Sequence, residues 1–129
     1  MHGLERPQVF HCLAHPDKPV VAVIGDGSSM YSIQAIWTAA NQKLPMTFVI
    51  INNGGYRIIK QRLKSFHGND QFIGMDFKDP AINFADMAAS MGLASERVED
   101  PARLRAALDE AIANREGPNL VEIICDGTL

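Results

Sequence analysis

The sequence predicts an α/β domain built on a doubly wound, mostly parallel sheet with helices on both faces, and three features carry that expectation. Residues 20–24 are a continuous apolar run and residues 46–51 one broken by Thr47 alone, both rich in β-branched side chains, as strands buried on both faces of a parallel sheet require. Between them Met30, Ile33, Trp37 and Ala40 recur at helical spacing. The later apolar runs are in turn separated by segments that carry helix start and stop signals.

The first strand ends at Gly25, and Ser28 or Ser29 offers an N-cap for the helix that follows, with Leu44-Pro45 closing it. That helix is expected to place Trp37 in the core. After the second strand, residues 57–78 begin helix-like and then turn Gly- and Asp-rich without a clear period. Asn83, with Asp86 three residues on, caps a helix whose apolar side is Ala85, Ala88 and Met91 and which stops at Gly92. A weaker strand over 93–98 leads to Asp100-Pro101, a strong helix start, with Leu104, Ala107, Leu108 and Ala111 on one face. Gly117-Pro118 stops that helix before a last strand over 120–124.

With 129 residues, 47% of them hydrophobic, the chain fits one domain and can bury a core. A net charge of -3 argues against general affinity for nucleic acid or an anionic membrane, both of which need an excess of Lys and Arg. No window approaches the ~18 apolar residues of a membrane span. The two cysteines, Cys12 and Cys125, lie in unlike contexts, so no disulfide framework is expected and a reducing, cytoplasmic compartment follows. Neither a nucleophile elbow nor a Walker A loop is present, and Gly25-Asp26-Gly27 lacks the third glycine of a dinucleotide fingerprint.

In an open parallel sheet, ligands bind beyond the carboxyl ends of the strands, where both Gly25-Asp26-Gly27 and Asn52-Asn53 fall. If the two strands are neighbours, Asp26 and Asn53 can converge on one cation with side-chain oxygens. A carboxylate and a carboxamide suit Mg²⁺ or Ca²⁺ rather than zinc, and two side chains leave coordination positions for carbonyl, water and phosphate. Gly25 and Gly27 permit a tight turn, Ser28 and Ser29 open a helix whose N–H groups attract phosphate, and Gly54-Gly55 lets the second loop bend its carbonyls inward. Taken singly, each loop is also ordinary turn chemistry.

Taken together, Gly-Asp-Gly, a helix, a strand and Asn-Asn resemble the thiamine-diphosphate fingerprint. The stretches "GDGSSMYSIQAIWTAA", "FVIINNGGY" and "GPNLVEIICDG" are similar to the C-terminal diphosphate-binding domain of benzoylformate decarboxylase and acetolactate-synthase-like enzymes, a likeness that spans about residues 13–127. The resemblance implies that Asp26 and Asn53 bind Mg²⁺ through side-chain oxygens and Gly55 through its carbonyl. It further implies that Gly27 and Ser28 cradle the diphosphate, with Gly25 beside them among the cofactor-binding residues, and that Tyr31 and Tyr56 line the cofactor, with plain packing the alternative for each aromatic.

The same resemblance implies a Gly-Gly-Leu-Gly-type segment and a helix ahead of the first strand. Residues 1–19 lack that segment and are set apart as atypical, with 20–129 as the thiamine-diphosphate-binding domain and the helix expected to be missing. A separate pyrimidine-binding domain, whose glutamate activates the cofactor, does not fit in this length, so the chain is expected to be incomplete for catalysis and to carry no catalytic residue of its own. The expected partners are thiamine diphosphate and either a second copy or a chain bearing the pyrimidine domain. The alternative is a non-catalytic α/β remnant that self-associates. Arg57, Lys60, Arg62 and Lys64 are expected to form a wet helix face, His67 a solvated group, and the His11/His15 pair no metal site.

Overall fold

The computed structural model describes residues 5–15, 17–68 and 70–128; of the segment set apart above, residues 1–4 and 16 lie outside the described residues. The chain runs through α1 (Glu5–Ala14), β1 (Val20–Gly25), α2 (Asp26–Ser29), α3 (Ala35–Asn41), β2 (Met46–Asn52), α4 (Arg57–His67), α5 (Phe84–Ser90), β3 (Ala94–Val98), α6 (Pro101–Ala113) and β4 (Asn119–Ile124). The described residues form a four-stranded sheet, parallel throughout, in the order β1-β2-β4-β3. The α/β expectation is met.

Strand periodicity sorts the core into two layers. On one face Ala22, Ile24, Phe48, Ile50 and Leu120 meet Val9 and Cys12 of α1, Ile36 and Ala39 of α3, and Phe84 and Ala88 of α5. On the other, Val121 and Val98 meet Ala107 of α6, with Leu104, Leu108 and Ile123 around them. Burying each large apolar side chain of this kind stabilises by about 1.5–3 kcal/mol, so the first layer dominates. Asn83 accepts the Asp86 N–H at 3.0 Å, and Asp100 accepts that of Ala102 at 2.9 Å, which starts α5 and α6 where the sequence places them.

Five expectations are corrected. The segment before β1 does contain a helix, α1, and it seals the core through Val9 and Cys12. The helix between β1 and β2 is broken: α2 begins at Asp26 with Gly25 as N-cap and no side-chain cap, and turns through Met30 to Gln34 precede α3. Ser29 does not cap; its hydroxyl donates back to the Asp26 carbonyl at 2.7 Å, which tightens that single turn. Because the break rotates the faces, Ile36 and Ala39 fill the core while Trp37 is 56% exposed. Finally, β1 is buried on one face alone: α6 covers β2, β4 and β3, which leaves Val21 and Val23 of the edge strand exposed.

Cys12 is buried and Cys125 exposed, both free, and desolvation by burial holds the Cys12 thiol above its usual range. Among the described residues no helix is long and apolar enough to cross a membrane.

Candidate functional site

The register Gly25↔Ile51 makes β1 and β2 neighbours and brings Asp26 and Asn53 off adjacent strand ends. Gly25, Asp26, Gly27, Ser28, Tyr31, Asn53, Gly55 and Tyr56, all singled out from sequence, line one cleft there, together with Ile58 and Ile59 of α4. The cleft's volume, ≈ 350 Å³, is that of a small-molecule site at the lower end of the usual range.

Its first wall is made locally. Asp26, 1% exposed, takes the Gly27 N–H on Oδ1 at 2.9 Å and reaches across with Oδ2 to accept the Gly55 N–H at 2.8 Å. The carboxylate therefore ties the two loops together, yet among the described residues no basic side chain pairs with it. A buried, uncompensated charge is costly, so this position suits a cation.

The second wall is propped from outside. Asn52 Oδ1 accepts the Gly54 N–H at 3.0 Å, and Gly54 and Gly55 adopt φ of +80° and +154°. Gly55 forms an antiparallel bridge to Asp76, with the Tyr56 N–H donating to the Met75 carbonyl and the Phe77 N–H to that of Gly54, each at 2.9 Å. A Cβ on Gly55 would run into the Met75 carbonyl, so the residue must be glycine on both counts. The Gly55 carbonyl already accepts the Arg57 N–H at 3.0 Å and keeps one lone pair for a further partner.

Between these walls, Asn53 Oδ1 is buried without a hydrogen-bond partner among the described residues. Asn119 Oδ1 shares that state at the other end of the sheet, but the Asn53 oxygen shares its cleft with a buried carboxylate. An orphaned amide oxygen and an unpaired carboxylate make a hard-oxygen donor set, which fits Mg²⁺. No three His, Cys, Asp or Glu side chains converge anywhere among the described residues, His11 and His15 included.

Tyr56 closes the cleft: its ring lies 5.0 Å from that of Phe77, edge-on, and 6.5 Å from that of Tyr31. A Cβ on Gly27 would come within 2.7 Å of Tyr56 Cδ1, so the first loop lies flat under that ring. Sequence reasoning missed two supports. Lys60, expected on a wet face, is buried, bonds Asp76 at 2.7 Å and lies 5.9 Å from the Phe72 ring centre. Its signal was a lysine one helical turn after Tyr56, followed by the Gly- and Asp-rich segment. Glu122, an acid inside the run "NLVEII", is fully buried and bonds Asn52.

The profile of the family described as "Thiamine pyrophosphate enzyme, C-terminal TPP binding domain" matches residues 3–123, and so takes in most of the segment set apart as atypical. The chain is 32% identical over 111 residues to benzoylformate decarboxylase of Pseudomonas aeruginosa and 33% over 114 to acetolactate synthase isozyme 1 large subunit of Escherichia coli, covering 86% and 88% of itself. It spans 20% of the length of each. Among solved structures it superimposes on a thiamine diphosphate-dependent 4-hydroxybenzoylformate decarboxylase of Rhodococcus jostii RHA1 with a TM-score of 0.83 and 33% identity, covering 92% of this chain and 22% of that one.

Proposed function

The chain belongs to the family of C-terminal thiamine-pyrophosphate-binding domains of thiamine pyrophosphate enzymes, and on that premise we propose that its cleft binds the diphosphate end of thiamine diphosphate through Mg²⁺. Asp26 and Asn53 would hold the metal by side-chain oxygens and Gly55 by its carbonyl. Gly25, Gly27 and Ser28 would face the diphosphate, and Tyr31 and Tyr56 would flank the cofactor. The observation that carries this reading is the pairing in one cleft of the buried, uncompensated Asp26 carboxylate with the orphaned Asn53 oxygen.

When bound, the cofactor supplies carbanion stabilisation; the protein's own residues bind and orient it. Asp26 holds the second loop by accepting the Gly55 N–H, so cation binding acts on an arrangement that already exists. The named activities belong to proteins about five times as long as this chain. We propose that this chain serves a 2-oxoacid decarboxylase or carboligase of the benzoylformate decarboxylase or acetolactate synthase type, with the aminopyrimidine end of the cofactor met by another domain or a partner chain. Free cysteines suit a cytoplasmic setting for it.

Titration with thiamine diphosphate at fixed excess of MgCl₂ should raise the melting temperature in proportion to ligand saturation, and EDTA should remove the shift. Asp26→Ala should abolish it. An unchanged melting temperature at millimolar cofactor and Mg²⁺ would sink this reading.

A second reading, self-association without cofactor, draws on one observation: Val21, Val23, Ile58 and Phe66 are all exposed apolar side chains. Size-exclusion chromatography with light scattering tests it, since a monomer at high micromolar concentration excludes it.

A further inference from the structure

We infer that Glu122 is a positioning residue for the candidate metal loop, acting through Asn52; this rests on the proposed Mg²⁺-diphosphate site. Glu122 is 0% exposed in the middle of β4 and lies outside the cleft. Its Oε1 accepts Asn52 Nδ2 at 2.6 Å, its Oε2 accepts the Ala85 N–H in the first turn of α5 at 3.1 Å, and Arg97 Nη1 stands 3.6 Å from Oε1.

A carboxylate offers acceptors alone, and here that property selects one orientation of a neighbouring amide. Asn52 Nδ2 faces Glu122 and, at 3.4 Å, the Ile82 carbonyl; its Oδ1 is thereby turned to the Gly54 N–H. Flipping the amide would set an oxygen against the carboxylate and an NH₂ against the Gly54 N–H, breaking both bonds at once. A fixed Asn52 amide thus fixes the turn at Gly54, and that turn aims Asn53 and Gly55 at the cleft. The link runs from the α5 N-terminus through the sheet to the loop, and it explains an acid buried within an apolar strand.

Glutamine has the same shape but brings an NH₂. Whichever way it points, one of its contacts with Asn52 and Ala85 becomes donor against donor, or Asn52 flips and releases Gly54. Outer residues that orient ligands commonly change metal affinity by 10- to 100-fold.

The test is a MgCl₂ titration at saturating thiamine diphosphate, read by thermal shift, on the natural chain and on Glu122→Gln, Asn52→Ala and Val121→Ala. Val121 neighbours Glu122 but faces α6, so its truncation lowers stability without touching the link. Glu122→Gln and Asn52→Ala should raise the Mg²⁺ midpoint about 10-fold or more, whereas Val121→Ala should leave it within about twofold. Hydrogen exchange of the Gly54 amide in ligand-free protein should quicken in Glu122→Gln and not in Val121→Ala. Natural midpoints and natural Gly54 exchange in both link variants overturn the positioning role and leave the proposed function standing. If the natural chain gives no Mg²⁺-dependent shift, the proposed function fails, and the Gly54 exchange still decides whether Glu122 holds the loop. Should Glu122→Gln not fold, Asn52→Ala, which keeps Glu122 with Ala85 and Arg97, decides in its place. If neither folds, the link belongs to the fold and the positioning role is contradicted.

Discussion

The two loops that wall the cleft are built in opposite ways. The first, from Gly25 to Ser29, makes itself: Asp26 accepts the next residue's N–H, Ser29 bonds back to Asp26, and a helical turn starts where the strand stops. The second, from Asn52 to Tyr56, with Gly54 and Gly55 at positive φ, is held by Asp76, Glu122 and Asp26, which lie in other parts of the chain. Gly127 also passes so close to the Asn53 carbonyl that a Cβ there would collide with it. A local loop can be read in a short stretch of sequence, while a propped loop fails when a distant support fails.

The sharpest way to break this comparison is Asp26→Ala, since Asp26 serves both loops. The Mg²⁺-dependent melting shift should vanish entirely, and survival of even half of it would place the cation elsewhere. Next is Gly55→Ala, which meets both a positive φ and the Met75 carbonyl. It should cost on the order of 1–3 kcal/mol in denaturant unfolding and weaken cofactor binding with it. Gly27→Ala in the self-made loop should cost less, roughly 1 kcal/mol, because the obstacle is the Tyr56 ring, which can shift. Equal losses from the two glycines would erase the distinction between the loops.

The smallest effect concerns pH. The hydrogen bond from Lys60, aided by that lysine's charge, holds the Asp76 carboxyl below its ordinary range. Since the folded value is the lower one, this stabilisation is complete above the ordinary Asp value of about 3.9 and is lost as pH falls through the folded value. Acidification below about pH 3.9 should therefore loosen the Gly55–Asp76 bridge, seen as lower protection of the Tyr56 and Phe77 amides relative to the intrinsic exchange rate at each pH. Asp76→Asn should exchange faster already at pH 7 and lose most of that pH dependence.

The same contrast explains what the sequence disclosed. The strands, the Asn83 and Asp100 caps and the Asp26 turn rest on neighbours in sequence, so their residues announce them. Pairing of β1 with β2 needed no more than a βαβ reading, and it carried Asn53 to Asp26. Trp37 was misplaced because the turns through Met30 to Gln34 reset the helical phase, and a count of apolar spacing assumes an unbroken helix. α1 was missed because its core contacts, Val9 and Cys12, lie on a short helix whose larger apolar residues, Phe10 and Leu13, are exposed, so no single apolar face marks it. Lys60 and Glu122 look like surface charges until the fold supplies Asp76 and Asn52.

The account rests on a cation held between the two loops, and Mn²⁺ in place of Mg²⁺ locates it directly, because both favour oxygen ligands. In a ¹H–¹⁵N spectrum of the chain with thiamine diphosphate, substoichiometric Mn²⁺ should broaden the amides of Gly27, Gly54 and Gly55 most. Val20 and Asn119, at the opposite ends of their strands, should broaden least. Uniform broadening, or broadening centred away from these glycines, would contradict it.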